Sequence, residues 1–302
     1  MTMSDQEPPI DADAPIIDGH GTGLIPSMPD ERDFKAADLL GATDEASRIM
    51  TTRPIRQRAT TDLAPRMPPI WDQGGHGACT SSIADAQTYV DKQTHVPSHA
   101  AQWAWTKLDR GVDNVAKNVG AGVRTAMDVT RVRGVAPDAV YPFVKPNMYT
   151  VPPPSVDATA AENQTIVYFK VETTDRAEIL RVMGALRLPI AFGMGCWGGW
   201  TNTDDAGRVM RRPTDASITG YHLMLMVGFK SLASGVWVKV RNSYGTGFGG
   251  WTAGAVRYGA GHCWIHLDDL MEFGFDFYVV QSTEGGLVTG TNVPVADFRK
   301  AE

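Results

Sequence analysis

Gln73-Gly74-Gly75-His76-Gly77-Ala78-Cys79-Thr80 is the stretch on which the reading of this chain turns. A glutamine stands six residues before a cysteine and is joined to it by glycine-rich chain. Ser81 to Thr94 then runs without glycine or proline and puts Ile83, Ala86 and Val90 on one helical face. That order sets an amide donor beside a thiol at the start of a helix, which is half of an acyl-transfer site. A cysteine there, facing an imidazolium, gains thiolate character from the helix dipole and the opposite charge. The other half requires a distant histidine.

The downstream candidate lies in Gly220-Tyr221-His222-Leu223-Met224-Leu225-Met226-Val227-Gly228-Phe229, where His222 opens an apolar run that reads as a buried strand. Asn242 follows the strand pattern Val236 to Val240, within Arg241-Asn242-Ser243-Tyr244-Gly245-Thr246-Gly247-Phe248-Gly249-Gly250-Trp251. Taken singly, each residue has an ordinary structural role: Cys79 a small core residue, His222 a core histidine, Asn242 a turn residue and Gln73 a loop residue. Their joint order carries the chemistry. The glycines after Asn242 are not a phosphate loop, because no Lys-Ser or Lys-Thr pair follows them. His76, and His262 with Cys263, lack the spacing of a metal site.

A chain of 302 residues can bury a substantial core without disulfides. Its three cysteines, Cys79, Cys196 and Cys263, allow at most one bridge and suit a reducing compartment; a Cys196–Cys263 bridge stays open. The net charge of -6 argues against nucleic acid as a partner, and Arg53, Arg56, Arg58 and Arg66 read as solvated surface. No apolar run approaches the roughly 18 residues of a membrane helix, so no membrane insertion is expected. The first residues, MTMSDQEPPIDADAPIIDGHG, have neither a basic region nor a hydrophobic core and do not form a secretory signal. The expectation is cytoplasmic synthesis, with release independent of Sec or association with a virion or other particle as alternatives.

The pattern predicts a flexible acidic arm over 1–25, a wrapping segment over 26–66, a main body over 67–282 and a tail over 283–302. Helices are expected over Ser81 to Thr94, Ala100 to Leu108 and Val123 to Val132, followed by an extended, turn-rich connection through Pro152-Pro153-Pro154. Beyond about residue 161 strands dominate: Ile166 to Val171, Leu188 to Met194, Ile218 to Phe229, Gly235 to Arg241, Ala253 to Arg257 and Phe275 to Gln281. Asp175 and Glu178 predict a capping box for one further helix. The fold class is α+β, with a helical lobe over about 67–160, a strand-rich lobe over about 161–282 and a cleft between them.

In order and spacing the chain resembles the papain-like cysteine peptidases, with His222 following Cys79 by 143 residues. It is most similar to bacterial and viral members with an Asp-Gln-Gly-x-x-Gly-x-Cys-Thr box. The likeness runs from about Leu24 to Ser282. It takes in Ile25-Pro26-x-x-Pro29-x-x-Arg32-Asp33-Phe34, Pro68-Pro69-Ile70-Trp71-Asp72-Gln73, Gly134-Val135-Ala136-Pro137, Tyr141-Pro142-Phe143 and both downstream boxes. The resemblance implies a two-lobe fold in which a β-barrel-like lobe carries His and Asn. It implies that Cys79 is the nucleophile, His222 the base and acid, Asn242 the orienter of the imidazole and Gln73 the oxyanion donor. It further implies a peptide or protein substrate and no cofactor. Gly193 and Leu223 would border the pocket for the residue two positions before the cut, and Tyr244 and Phe248 would line the leaving-group side.

Several positions depart from the family pattern. Tyr244 and Phe248 stand where papain has tryptophans, which predicts weaker shielding of His222 and Asn242. His76 replaces a disulfide cysteine, and Thr80 replaces a tryptophan. Trp197 to Trp200 either controls access to the cleft or packs between the lobes. Residues 1–66 lack the helical prosegment pattern of the cathepsins, so control is expected from the arm, from compartment or from cleft access. Two other functions remain in view: an inactive peptidase-fold protein that binds or assembles within a larger particle, and an amidase or acyl transferase acting on a non-protein amide.

Overall fold

The computed structural model describes residues 14–28, 30, 33, 35–36, 60–164, 167–253 and 256–281; the expected tail and most of the expected wrapping segment lie outside them. The chain begins with four short strands, β1 (Ile16–Ile17), β2 (His20–Gly21), β3 (Leu24–Ile25) and β4 (Thr60–Asp62). The helical lobe follows as α1 (Ile83–Val90), α2 (His99–Asp109), β5 (Ala121–Gly122), α3 (Val123–Val132) and α4 (Pro154–Ala160). The strand lobe opens with β6 (Val167–Lys170), α5 (Arg176–Arg181), β7 (Ile190–Cys196), β8 (Gly220–Leu232) and β9 (Gly235–Arg241). It closes with β10 (Gly249–Ala253), β11 (Val256–Ala260), β12 (His262–His266), α6 (Leu267–Phe273) and β13 (Gly274–Gln281).

Local chemistry explains most boundaries in the helical lobe. Cys79–Ser82 makes a 3-10 turn that leads into α1, whose residues Ile83 to Tyr89 are all buried. A helix buried on all sides is a core element, so α1 lies inside the molecule and not on its surface. Ser98 caps α2 by accepting from the Ala101 amide at 3.0 Å. Val123–Val132 forms as expected, and Gly134 follows with φ of 87°, the left-handed geometry that ends helices. The run expected to be extended at Pro152–Pro154 instead starts α4, because Pro154 occupies a first-turn position where its missing N–H leaves no bond unmade. Lys107 holds the following loops from inside: its buried Nζ donates to the carbonyls of Val115 at 2.7 Å and Met148 at 2.9 Å.

The strand lobe is built on a nine-stranded sheet, with order β11-β10-β12-β9-β8-β7-β13-β6 and β4 paired onto β8. β7 and β8 run antiparallel in a register that sets Gly193 opposite Leu223 and Met194 opposite His222. β7 is buried along its whole length, which accounts for its nearly continuous apolar sequence. The predicted strand Ala253 to Arg257 falls on the junction of the β10–β11 pair, and β12 and α6 were not foreseen. Asp175 caps α5 through the Glu178 amide at 2.9 Å, whereas Glu178 turns to the amide of Glu172, so only half of the expected capping box forms. All three cysteines are buried and unbridged, so the Cys196–Cys263 pairing does not form.

One apolar cluster joins the lobes. It contains Cys79, Ile83, Val123 and Met127 from the helical side, Ala191, Leu223, Leu225 and Tyr278 from the sheet, and Leu24 from the first strands. Residues within the expected flexible arm are therefore part of the core. Ile17 and His20 close the β1–β2 hairpin across Asp18 and Gly19, both at positive φ, as an Asp-Gly two-residue turn requires.

Candidate active site

Cys79 sits at the first residue of the turn leading into α1 and has no exposed surface. Backbone amides of Leu223, Gly23, Thr80 and Cys79 itself are directed at its sulfur. Those dipoles favour the thiolate, but burial outweighs them and pushes the thiol up to about 11. The thiolate expected from the helix terminus is therefore absent at neutral pH in this conformation. Desolvation is the reason, and part of it comes from the β2–β3 segment lying over the sulfur.

His222 is fully buried on β8. Its Nε2 lies 2.7 Å from Asn242 Oδ1, which also accepts from the Ser243 amide at 2.7 Å. An amide oxygen only accepts, so the proton is on Nε2 and the Nδ1 lone pair is free. Nδ1 is buried and has no hydrogen-bond partner among the described residues. Burial pulls the imidazole down to about 4; the Asn242 bond opposes this and nearby His20 adds to it. The resting pair is a neutral thiol and a neutral imidazole. The structure brings Cys79 to this strand through the amide of Leu223, the residue next to His222.

Gln73 is also fully buried. Its Oε1 accepts from Ser243 Oγ at 2.5 Å, which ties it to the residue after Asn242. Its Nε2 donates to the Gly21 carbonyl at 2.8 Å and the His76 carbonyl at 2.6 Å. Both amide hydrogens of the expected oxyanion donor are thus engaged by backbone oxygens. Gln73, Cys79, His222 and Asn242 are gathered in one region by four separate chain segments.

An aromatic wall encloses the imidazole. Tyr244 lies 4.6 Å from the His222 ring, and Phe248 meets Tyr244 edge-on at 5.8 Å. Trp200, which is fully buried, packs on His222 at 5.7 Å, Tyr244 at 5.8 Å and Phe248 at 6.1 Å. The weaker shielding expected from Tyr244 and Phe248 is offset, because an indole arrives from the β7–β8 connection. Its only signal in the sequence was the aromatic Trp197-Gly198-Gly199-Trp200 run, which does not reveal the direction of the fold-back. His20 stacks on the other side of Tyr244 at 4.1 Å with an interplanar angle of 11°.

Gly193 and Leu223 border an apolar pocket, as expected, and Leu24 fills it. A Cβ added at Gly193 would lie 2.5 Å from both Leu24 Cδ2 and Phe275 Cε2. Behind the site, Asp85 on α1 accepts from Arg241 at 3.2 and 3.4 Å and lies 3.1 Å from His99 Nε2. All three are buried, and Trp71 stacks on His99 at 3.9 Å. Burial works against the Asp85 carboxylate, but Arg241 and His99 hold its pKa below the ordinary value. This cluster was not read from the sequence. It connects the helix that begins at Cys79 to the residue before Asn242.

His76 is bound to Tyr149 OH at 2.6 Å and His262 Nδ1 faces the Ala260 carbonyl at 3.0 Å. No group of three or more metal-ligating side chains occurs among the described residues. No helix among them is long and apolar enough to cross a membrane.

No family model matches the chain, and no curated protein matches it. Solved structures do. Xylellain, a cysteine protease from Xylella fastidiosa, aligns with a TM-score of 0.70 at 21% identity, covering 90% of this chain and 99% of its own. ProCathepsin B S9 from Trypanosoma congolense aligns at 0.61 and 15% identity, covering 87% of each chain. Bromelain protease from Ananas comosus, solved with the E64 inhibitor, aligns at 0.56 and 15% identity, covering 74% of this chain and 99% of its own. The helical region, the many-stranded sheet and their order in the chain are shared with these structures, and the protein has the papain-like cysteine-protease fold.

Proposed function

We propose that this chain is a cysteine peptidase of bacterial type, with Cys79 as nucleophile, His222 as base and acid, Asn242 as orienter and Gln73 as oxyanion donor. The observation that carries this reading is the 2.7 Å His222–Asn242 bond, which fixes the imidazole with its Nδ1 lone pair unspent beside the strand that receives Cys79. In the reaction, His222 takes the thiol proton as sulfur attacks the peptide carbonyl carbon. Negative charge gathers on the carbonyl oxygen, toward which the Gln73 amide and the Cys79 N–H donate. As the C–N bond breaks, the imidazolium passes its proton to the departing amine, leaving a thioester on Cys79. Water, deprotonated by His222, attacks the thioester; the C–S bond breaks, the thiol is restored and a carboxylic acid leaves.

The test is labelling by an epoxide cysteine reagent together with hydrolysis of an unfolded protein, each repeated on Cys79→Ala and His222→Ala. Loss of both signals in both variants is expected. If neither the full chain nor a chain with its arm loosened shows Cys79-dependent labelling or hydrolysis between pH 4 and 9, the enzyme reading fails. The complete burial of Cys79 favours a second reading, a peptidase-fold protein that binds without turnover. Labelling without hydrolysis would support it.

A further inference from the structure

We propose that residues 20–25 are a resident occupant of the Cys79 cleft, lying in the direction opposite to a substrate and keeping the site latent until the arm is displaced. The proposal rests on the peptidase reading only for the direction of the substrate. Each contact of this segment falls on a group already placed in the site. Leu24 occupies the Gly193–Leu223 pocket and is 5% exposed. The Gly23 amide points at Cys79 sulfur, and the Gly21 carbonyl takes a hydrogen of Gln73. His20 covers Tyr244.

The direction follows from two of these contacts. A substrate must place its acyl-side residue in the Gly193–Leu223 pocket and its leaving amine toward Tyr244, so it runs from pocket to aromatic wall. The arm passes Tyr244 at His20 and reaches the pocket at Leu24, the reverse sense. β3 accordingly pairs in parallel with β5, Leu24 opposite Ala121, and the Gly23 carbonyl accepts from the Ala121 amide at 2.7 Å. A peptide reversed at the sulfur presents carbonyl and nitrogen in the wrong order for acyl transfer, so the occupant is held without being consumed.

The fit is specific to this stretch. A Cβ at Gly21 would lie 2.2 Å from the His76 carbonyl oxygen, one at Gly23 2.1 Å from that of Gly77, and one at Gly120 1.8 Å from that of Gly23. Only bare backbone passes these points. The segment is secured on both sides. Ala14 N donates to the Asn118 carbonyl at 2.8 Å and Thr201 to Asp18 at 2.6 Å. Beyond the pocket, Ser27 N donates to Asp276 at 2.7 Å, and Asp33 is held by Arg124 at 2.7 Å and by Tyr278 OH at 2.8 Å.

The experiment measures the rate of Cys79 alkylation by iodoacetamide in the full chain, with the modified residue identified by mass spectrometry. Wild type is compared with Leu24→Asp and with the milder Asp18→Ala. Cys263, buried in the strand lobe, reports general loosening. Leu24→Asp is expected to raise the Cys79 rate by about 30-fold, the population equivalent of losing one buried leucine, with Cys263 unchanged. Asp18→Ala should raise it several-fold. Hydrogen exchange at the Ala121 amide, read on wild type, should show protection that Leu24→Asp removes. Equal Cys79 rates in all three chains, or an unprotected Ala121 amide in wild type, would overturn the proposal. Peptide hydrolysis separates it from the enzyme reading. Faster alkylation without hydrolysis upholds the arm and defeats the peptidase, while equal hydrolysis in all chains does the opposite.

Discussion

Replacing Asp85 by asparagine probes the connection between the two lobes most directly. Asp85 has no exposed surface, and its two oxygens serve Arg241 and His99, which are 3% and 2% exposed. Asparagine keeps the shape and removes the charge, leaving the Arg241 guanidinium buried with the Pro69 carbonyl at 2.7 Å as its remaining acceptor. Breaking a buried ion pair from one side costs about 3–5 kcal/mol, and the surviving Pro69 bond places this case near 3. At about 2–4 °C per kcal/mol for domains somewhat smaller than this one, the melting temperature should fall by about 6–12 °C. The pH dependence gives a second handle. The Asp85 pKa is held below its unfolded value of 3.8, so its contribution is complete above that value and is lost as pH falls through the folded pKa. The gap between wild type and variant should therefore narrow in acid. Urea unfolding at pH 7 and pH 3.5, with Arg241→Met alone and in combination, is the assay. The double variant should cost less than the two single ones together by about 1–3 kcal/mol. An Asp85→Asn penalty below about 1 kcal/mol, or strict additivity, would refute the reasoning.

Three further outcomes are expected. Gln73→Ala in an arm-loosened chain should lower kcat by about 10²–10³-fold with little change in KM, since the amide acts on charge that develops during attack; a KM effect alone would count against its role. Trp200→Ala should cost about 3–5 kcal/mol through the cavity it leaves and should raise the His222 pKa from about 4 toward 6.5 as water reaches the ring, measurable by imidazole NMR titration. Burial lowers the pKa of both His222 and His262 to about 4, so the stability they contribute is present above 6.5 and is lost as pH falls toward 4, by at most about 3 kcal/mol each. Denaturation midpoints that stay flat between pH 7 and 4.5 would contradict this.

Much of the site could be read from the chain because its groups sit at strong local signals. Cys79 follows a glycine-rich turn and begins a helix, His222 opens a long apolar strand, and Asn242 ends the next one. The helix Val123–Val132 and the strand Gly235–Arg241 were legible for the same reason, as periodic runs between glycines. What escaped depends on partners far along the chain. Residues 14–25 have the Asp, Pro and Gly content of a solvated tail, and only the bare backbone of Gly77 and Gly120 makes them a fitted insert. The neutral state of Cys79 follows from that cover, so helix-end chemistry alone pointed the wrong way. Between β10 and β12, Gly249, Gly250, Gly259 and Gly261 adopt positive φ, and glycines spaced like this interrupt the alternation by which strands are recognised.

The β7–β8 pair has a bearing on how such a protein could diversify. Gly193, Trp200, His222 and Leu223 all lie within one continuous stretch, 190–232, made of two antiparallel strands and their connection. The proton carrier, its indole cover and the side of the pocket that selects a residue are thus inherited as one block. Recombination that exchanged this block between relatives would change selectivity while keeping the base and its cover matched, whereas single substitutions at any of the four positions would disturb that match. A chimera bounded at 190 and 232 is therefore a natural unit for redesigning what the cleft accepts.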